Sequence, residues 1–404
     1  MELSFCSRVT SRAGGITNKE AKKEAEEPKL YTSFRAKVTV DRDIPNSKIL
    51  LTGATVFTMR GGMEVLENAD VLVEGNRVSA VGSTGSLELP EGTITMDFRG
   101  KFITPGFIDP HAHWFDFHRG ILDTQHWDFI ANVAYGVTAG LDVQTSTNDM
   151  FAYQDMIDSG RMIGPRGYST GPGIFSSNAF SSKEDAIGVL KKYRDHYRTN
   201  NIKAYVSGNR KQRQYVIQAS EELGMMPTTE GALDLKLDLT HIIDGFSGNE
   251  HSYPIHPFYN DVVQFTAQSG TSYNPTLLVN YGGPWTEEYF FTHEETHDDE
   301  KVRRFLPHNY VDAKTMRRQW FRESEYIFPQ VAKGVKDILR AGGRVGFGSH
   351  GQYQGLGYHW AMWAMSAGGA SSIEILNIAT LKGAEVIGRA SEIGSLEPGK
   401  YADL

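Results

Sequence analysis

From Lys101 onward the chain repeats one pattern: a short apolar run, a polar loop, then apolar positions at helical spacing. The apolar runs predict strands at Phe102–Ile108, Thr138–Val143, Arg166–Thr170, Ile202–Val206, Met225–Thr229, Gly245–His251, Ser272–Val279 and Arg344–Ser349. Between them, Lys183–Thr199, Gln212–Leu223 and Ala332–Ala341 carry helical periodicity. Strands alternating with helices over roughly 250 residues predict a parallel sheet, and eight such units predict an α/β fold of the closed (β/α)8 type over residues 101–392. Before Lys101 the texture differs. Ile49–Met59, Ala69–Val73, Arg77–Val81 and Thr93–Phe98 are short runs cut by Gly61-Gly62, Glu74-Gly75-Asn76 and Pro90-Glu91-Gly92, which predicts a small all-β unit over residues 31–100. Tyr31–Val40 alternates as an exposed strand would.

Three stretches break the pattern. Residues 1–30 are charged on every face, and Met1–Lys29 reads as a disordered or loosely helical leader. Residues 282–322 are too long and too charged for an ordinary connection, which predicts an insertion over the barrel mouth, a lid or substrate-selecting segment with Trp285, Tyr289, Phe290 and Phe291 in the pocket wall. Ser371–Arg389 predicts a helical pair, and residues 393–404 head back toward the β unit as a further strand.

Composition narrows the function. Among 404 residues, 41 basic and 49 acidic side chains give a net charge of -8, and no basic cluster tracks phosphates, which argues against nucleic acid as a partner. No run of about 18 apolar residues exists to span a membrane. The N-terminus has no apolar core of a signal peptide as it stands, and compartment stays open. The single cysteine, Cys6, excludes an intrachain disulfide. Oligomeric state is not legible.

Candidate chemistry follows from the strand ends, where a (β/α)8 barrel carries its functional residues. In KFITPGFIDPHAHW (101–114), alternation puts Asp109, His111 and His113 on one strand face, and two imidazoles so spaced can grip one divalent ion. Further strand ends give Lys203 (NIKAYVSG), Glu230 (MMPTTEGA), His251 (FSGNEHS) and His350 (VGFGSHGQ) as further candidate metal ligands. A buried lysine can be neutral and take up carbon dioxide, and a carboxylate closing an apolar strand needs a partner. Asp142 ends the second strand, where it would orient a ligating histidine. His359 and His241 read as supporting or structural groups, with His359 a candidate neighbour of ligands or substrate. His293, His297 and His308 lie in the charged insertion and read as solvent-facing.

PGFIDPHAH, with TGATVFTM and VLVEGNRVSAVG upstream and GSLEPGKYADL downstream, resembles the amidohydrolase superfamily over residues 49–404. YGGPW, GNEHSYP and GSHGQYQGLGYHW are similar to a bacterial branch often fused behind a β-propeller, and FRAKVTVDRDIP resembles the seam after one. The resemblance implies a TIM-like metal barrel with a small β-sandwich built from both chain ends. It also implies a longer parent protein with a propeller partner and more chain after Leu404. It assigns His111, His113, Lys203 (often carboxylated) and His251 as metal ligands. Two positions depart from it: Glu230 stands where a histidine is usual, and His350 where an aspartate both ligates and serves as base.

The expectation is a hydrolase that uses one or two divalent ions, zinc from the His-rich set, with manganese or iron also suited to a carboxylate. As the resemblance implies, its substrates would be small molecules with C–N bonds other than ordinary peptide bonds: cyclic amides, N-acyl amino acids or dipeptides. His350 or Glu230 would carry the proton to the leaving group. The alternative is a barrel that binds metal or ligand without turnover, as partner module of a propeller.

Overall fold

A computed structural model describes residues 2–6, 32–114, 123–145, 149–175, 177–316 and 318–404. They form two units, Met1–Arg42 and Asp43–Leu404. In the first, β1 (Glu2–Cys6) pairs antiparallel with β2 (Ser33–Lys37). Glu2–Cys6 lies inside the stretch expected to be disordered or loosely helical: its backbone is extended and paired. The rest of that leader lies outside the described residues.

The second unit opens with β3 (Lys48–Phe57), β4 (Val65–Glu74), β5 (Arg77–Ser83), β6 (Ile94–Asp97) and β7 (Phe102–Ile103), in one five-stranded sheet ordered β5-β4-β3-β6 with β7 also on β3. Alternation, reset by register shifts between Leu51 and Val56, buries Leu51, Val56, Val71, Val78 and Ile103 in one cluster. The tail closes on this sheet: Val78 N–H donates to Lys400 O, Leu396 N–H to Thr58 O and Ala402 N–H to Asn76 O. Tyr401 is sandwiched between the guanidiniums of Arg77 and Arg166, each 3.7 Å from its ring. Among the described residues this is a single sheet, not the two layers of the expected sandwich.

The barrel-like part then runs β8 (Phe107–Ala112), α1 (Trp127–Ala134), β9 (Val137–Asp142), α2 (Asp149–Asp158), β10 (Arg166–Ser169), β11 (Ile174–Phe175), α3 (Lys183–Asp195), β12 (Asn201–Tyr205), α4 (Arg210–Leu223) and β13 (Met226–Glu230). It continues with α5 (Leu235–Asp244), β14 (Gly248–Glu250), α6 (Asn260–Ser269), β15 (Ser272–Asn274), α7 (Thr286–His293), α8 (Glu300–Phe305), α9 (His308–Thr315), α10 (Phe328–Arg340), β16 (Arg344–Val345) and α11 (Leu356–Ala367). Every ladder is parallel and joins neighbours in chain order, in one three-stranded sheet (β8 to β10) and one six-stranded sheet (β11 to β16). This is a TIM-barrel-like α/β arrangement whose ladders leave two seams. At one seam His350 N–H donates to His111 O at 2.9 Å. There Gly348 passes so close that an added Cβ would lie 2.2 Å from the Cβ of His111.

Several expected boundaries move, each for a local reason. Phe102–Ile108 splits at Pro105-Gly106: Phe102–Ile103 pairs with β3, and only residues from Phe107 join the barrel ladder. Gly245 (φ 104°) caps α5, so the sixth barrel strand starts at Gly248. Thr276 (φ 45°) turns the chain into a 3-10 turn at Leu277–Val279, ending the seventh strand at Asn274. The expected helical pair runs through α12 (Ser372–Asn377), a π segment (Ile378–Lys382) and α13 (Gly383–Val386), joined with right-handed junctions. Residues 282–322, expected as a lid with aromatics in a pocket wall, place part of those aromatics in the core. Phe290, Phe291, Val302, Leu306 and Val311 belong to the same core as Phe347, Tyr353 and Trp360, and Phe290 stacks on Trp360 at 5.3 Å.

Candidate metal centre

The residues expected at strand ends converge. Ring centroids of His111 lie 5.3 Å from His113, 5.1 Å from His251 and 5.1 Å from His350; His113 and His350 are 4.7 Å apart. One ligand atom each of His111, His251 and His350 lies within 4.8 Å of the others, a group able to hold an ion. His113 flanks that group. Two of the four rings sit on strained backbone, His251 at φ 70° and His350 at φ 59°, where a left-handed turn lifts the side chain off its strand.

Beside the rings lies an ion pair. Lys203, 1% exposed, places Nζ 2.6 Å from Glu230 Oε2 and 3.3 Å from His111 Nε2. The other Glu230 oxygen lies 2.8 Å from His251 Nε2. His251 is further fixed by Thr276 Oγ1 at 2.9 Å from its Nδ1 and by Tyr281, stacked at 5.1 Å.

Electrostatics favour neutral rings and one ionised acid. Burial, reinforced by the Lys203 charge, holds His111 well below the usual imidazole range and takes His113 down to about 3. Burial also lowers His251, against the pull of Glu230, and lowers His350 together with the charges of His113 and His251. Burial alone would raise Glu230, but Lys203 and His251 more than offset it and hold it below its ordinary value. Neutral imidazoles carry the lone pairs that a metal needs, so the donor set fits a divalent ion.

One member went unforeseen. Glu250 is buried, with Oε2 2.6 Å from His111 Nδ1, and it accepts from Thr228 Oγ1 at 2.5 Å and Asn274 Nδ2 at 2.9 Å. Burial raises it to about 7, against the Lys203 charge. The usable signal was a glutamate inside the buried strand GNE, where a carboxylate requires partners.

Two expected neighbours do otherwise. Asp142 accepts backbone N–H groups of Trp114 (3.2 Å) and Gln144 (3.4 Å) in place of a histidine. Asp109 likewise takes His111 N–H (3.1 Å) and Ser349 Oγ (2.5 Å). His359 lies on α11 with Nε2 2.7 Å from Tyr135 O, packed against Phe107 and Tyr135 and apart from the cluster. His241 is buried on α5 against Phe246. His293, His297 and His308 sit on the inserted helices and their 3-10 turn, paired with carboxylates at 2.9–3.3 Å.

A family model, the amidohydrolase family, matches residues 216–404. Curated relatives match over short stretches. A 5-methylthioadenosine/S-adenosylhomocysteine deaminase of Pelotomaculum thermopropionicum is 37% identical over 70 residues, 17% of this chain and 16% of that protein. An adenine deaminase of Deinococcus deserti is 28% identical over 160 residues, 39% of this chain and 27% of that protein. An imidazolonepropionase of Alkaliphilus metalliredigens is 33% identical over 54 residues, 13% of each. The chain therefore spans only a minor part of these relatives' lengths. Among solved structures, a Xaa-Pro dipeptidase with bound methionine has a TM-score of 0.65 at 18% identity, covering 88% of this chain and 92% of that one. A molinate hydrolase has a TM-score of 0.65 at 15% identity, covering 88% of each. At such identities the likeness is one of fold.

Proposed function

We propose that the protein, whose residues 216–404 match the amidohydrolase family model, hydrolyses a C–N bond of a small molecule at the four-histidine cluster. The candidate substrate classes are cyclic amides, N-acyl amino acids and dipeptides. Xaa-Pro dipeptides join the list because the fold of a dipeptidase so named is similar over most of the chain. The observation that carries the reading is the buried convergence of His111, His251 and His350 beside His113, Lys203 and Glu230.

In this reading His111, His113 and His251 would hold the ion, with Lys203 and Glu230 beside them; His251 Nε2 would first have to leave Glu230, 2.8 Å away. A bound divalent ion, zinc by preference, supplies Lewis acidity and lowers the pKa of water. Glu230, kept ionised by Lys203 and His251, is the group placed to take a proton at its carboxylate and pass it to the leaving nitrogen. His350 faces the same space from the eighth strand and completes the polar contacts to substrate. Carboxylation of Lys203 would remove its charge, break its pair with Glu230 and add a second carboxylate to the donor set.

A second reading is favoured by one feature, the histidine at the eighth strand where the family resemblance implies an aspartate: a barrel that binds metal or ligand without turnover. The test is hydrolysis of N-acyl amino acids, Xaa-Pro dipeptides, cyclic amides and aminopurines, with metal content measured alongside. Activity restored by Zn²⁺ or Mn²⁺ and lost to a chelator supports the hydrolase. Stoichiometric metal with no turnover across the panel would move the conclusion to the binding barrel.

A further inference from the structure

His350 is the one ring of the cluster tied to the inserted segment. Its Nδ1 lies 2.9 Å from the side-chain nitrogen of Gln352. The side-chain oxygen of Gln352 lies 3.1 Å from Lys314 Nζ, and its backbone carbonyl accepts from Tyr310 OH at 3.0 Å. Tyr310 and Lys314 are four residues apart on α9, one helix face.

Donor and acceptor counting then fixes a proton. An ammonium only donates, and a carboxamide has one accepting and one donating end. Lys314 must therefore take the oxygen of Gln352, which turns the amide NH2 toward His350. A ring nitrogen that receives an N–H bond is bare, so the ring is neutral and its single proton sits on Nε2. An imidazolium has no bare nitrogen and is excluded by the same bond. His111 is fixed the opposite way: the Lys203 ammonium only donates, so His111 Nε2, 3.3 Å from its Nζ, is bare and the ring proton sits on Nδ1, 2.6 Å from Glu250 Oε2. Two rings 5.1 Å apart and inclined by 27° thus hold opposite tautomers, one offering a lone pair and the other an N–H.

We infer that a Lys314–Gln352 clamp from the inserted segment holds His350 as its Nε2–H tautomer, and that His350 serves as a hydrogen-bond donor to the substrate carbonyl rather than as a metal ligand. The tautomer follows from the hydrogen bonds alone; its use on a substrate rests on the hydrolase reading. Lys314, Gln352 and Tyr310 are positioning residues. The clamp also gives the insertion a chemical task, since it sets the one ring that replaces the expected aspartate.

The test uses the full chain labelled with ¹⁵N-histidine, with the His350 signals assigned by their loss in His350→Gln. Long-range proton–nitrogen correlation separates a bare ring nitrogen from a protonated one. The expected result is a protonated Nε2 and a bare Nδ1 in the native protein, unchanged in Lys314→Arg, which still only donates. Gln352→Glu, whose carboxylate only accepts, is expected to move the proton to Nδ1. A native protein with its proton on Nδ1, or a Gln352→Glu protein with an unchanged pattern, overturns the clamp. On any amide the protein hydrolyses, Gln352→Glu is expected to lower kcat by about 10²-fold with KM nearly constant, the loss typical of one oxyanion donor. An unchanged kcat overturns the donor role. If no amide is hydrolysed, the hydrolase reading fails while the tautomer is still decided by the nitrogen shifts.

Discussion

The molecule has two histidine-rich regions, and they differ in nearly every physical respect. His111, His113, His251 and His350 meet at strand ends under burial, and burial is the first cause of each lowered pKa. His293, His297 and His308 lie on the inserted segment, and each pairs with a carboxylate of Glu323, Glu295 or Asp312. His308 is 81% exposed in its side chain. The first set crowds its rings together under burial; the second spends its nitrogens on neighbouring acids nearer the surface. A histidine's worth as a ligand is therefore set by what surrounds it, not by how many lie near it in sequence.

The largest test of that contrast is metal content. His111→Ala and His251→Ala are each expected to empty the site, seen by elemental analysis, with turnover down about a thousandfold or more because several kcal/mol of transition-state stabilisation go with the ion. His297→Ala and His308→Ala should retain both metal and activity; loss in these variants as well would erase the distinction.

Glu250 sharpens the contrast, because its carboxylate serves a buried ring rather than a surface one. Replacement of such a partner commonly costs 10–100-fold in metal affinity, so Glu250→Gln is expected to weaken Zn²⁺ binding by about that factor in a competition titration. Unchanged affinity would mean that His111 is oriented by its strand alone.

A third prediction concerns the inserted helices. Glu287 on α7 is 5% exposed and raised by burial, opposed by Lys314, from an ordinary value of 4.5 to about 7. The native state then holds this proton more tightly than the unfolded chain. The stabilisation is complete below 4.5 and is lost as pH rises through about 7. Glu287→Gln should leave stability unchanged near pH 4 and raise it by up to about 3 kcal/mol near pH 8, at about 1.4 kcal/mol per pKa unit. Denaturant melts at both pH values read this, and a pH-independent difference between the proteins would contradict it.

The smallest effect is expected at the seam between strands one and eight. Gly348→Ala would press a methyl on the Cβ of His111, an overpacking cost of about 1–3 kcal/mol in denaturant melts. A neutral substitution would show that the two strands can part.

Much of this site is legible in the sequence, and for a definite reason. A (β/α)8 pattern sends strand ends to one face, so period and position alone pick out His111, His113, Lys203, Glu230, His251 and His350. Glu250 is harder to read, because it neighbours His251 on a short strand and strand alternation sends adjacent side chains to opposite faces. Asp142 and His359 are expected near the ligands from their rank along the chain, yet hydrogen bonding sends the first to backbone amides and the second to Tyr135. The insertion reads as a lid with its aromatics in a pocket wall, and its share in the core is not legible. Phe290, Phe291, Val302 and Val311 are spread over three short helices, with Leu306 just past α8, too few on each to show a periodic face.

The alternation of strand and helix, the ends at which chemistry would sit and the residue types found there are local properties of the chain, because they depend on spacing within a few residues. Only the tertiary structure decided which nitrogen meets which partner. Glu250 reaches His111 across 139 positions, and Lys314 reaches Gln352 across 38. Such bonds depend on how β8, β14, α9 and the loop after β16 are brought together in space, and no local period encodes that distance.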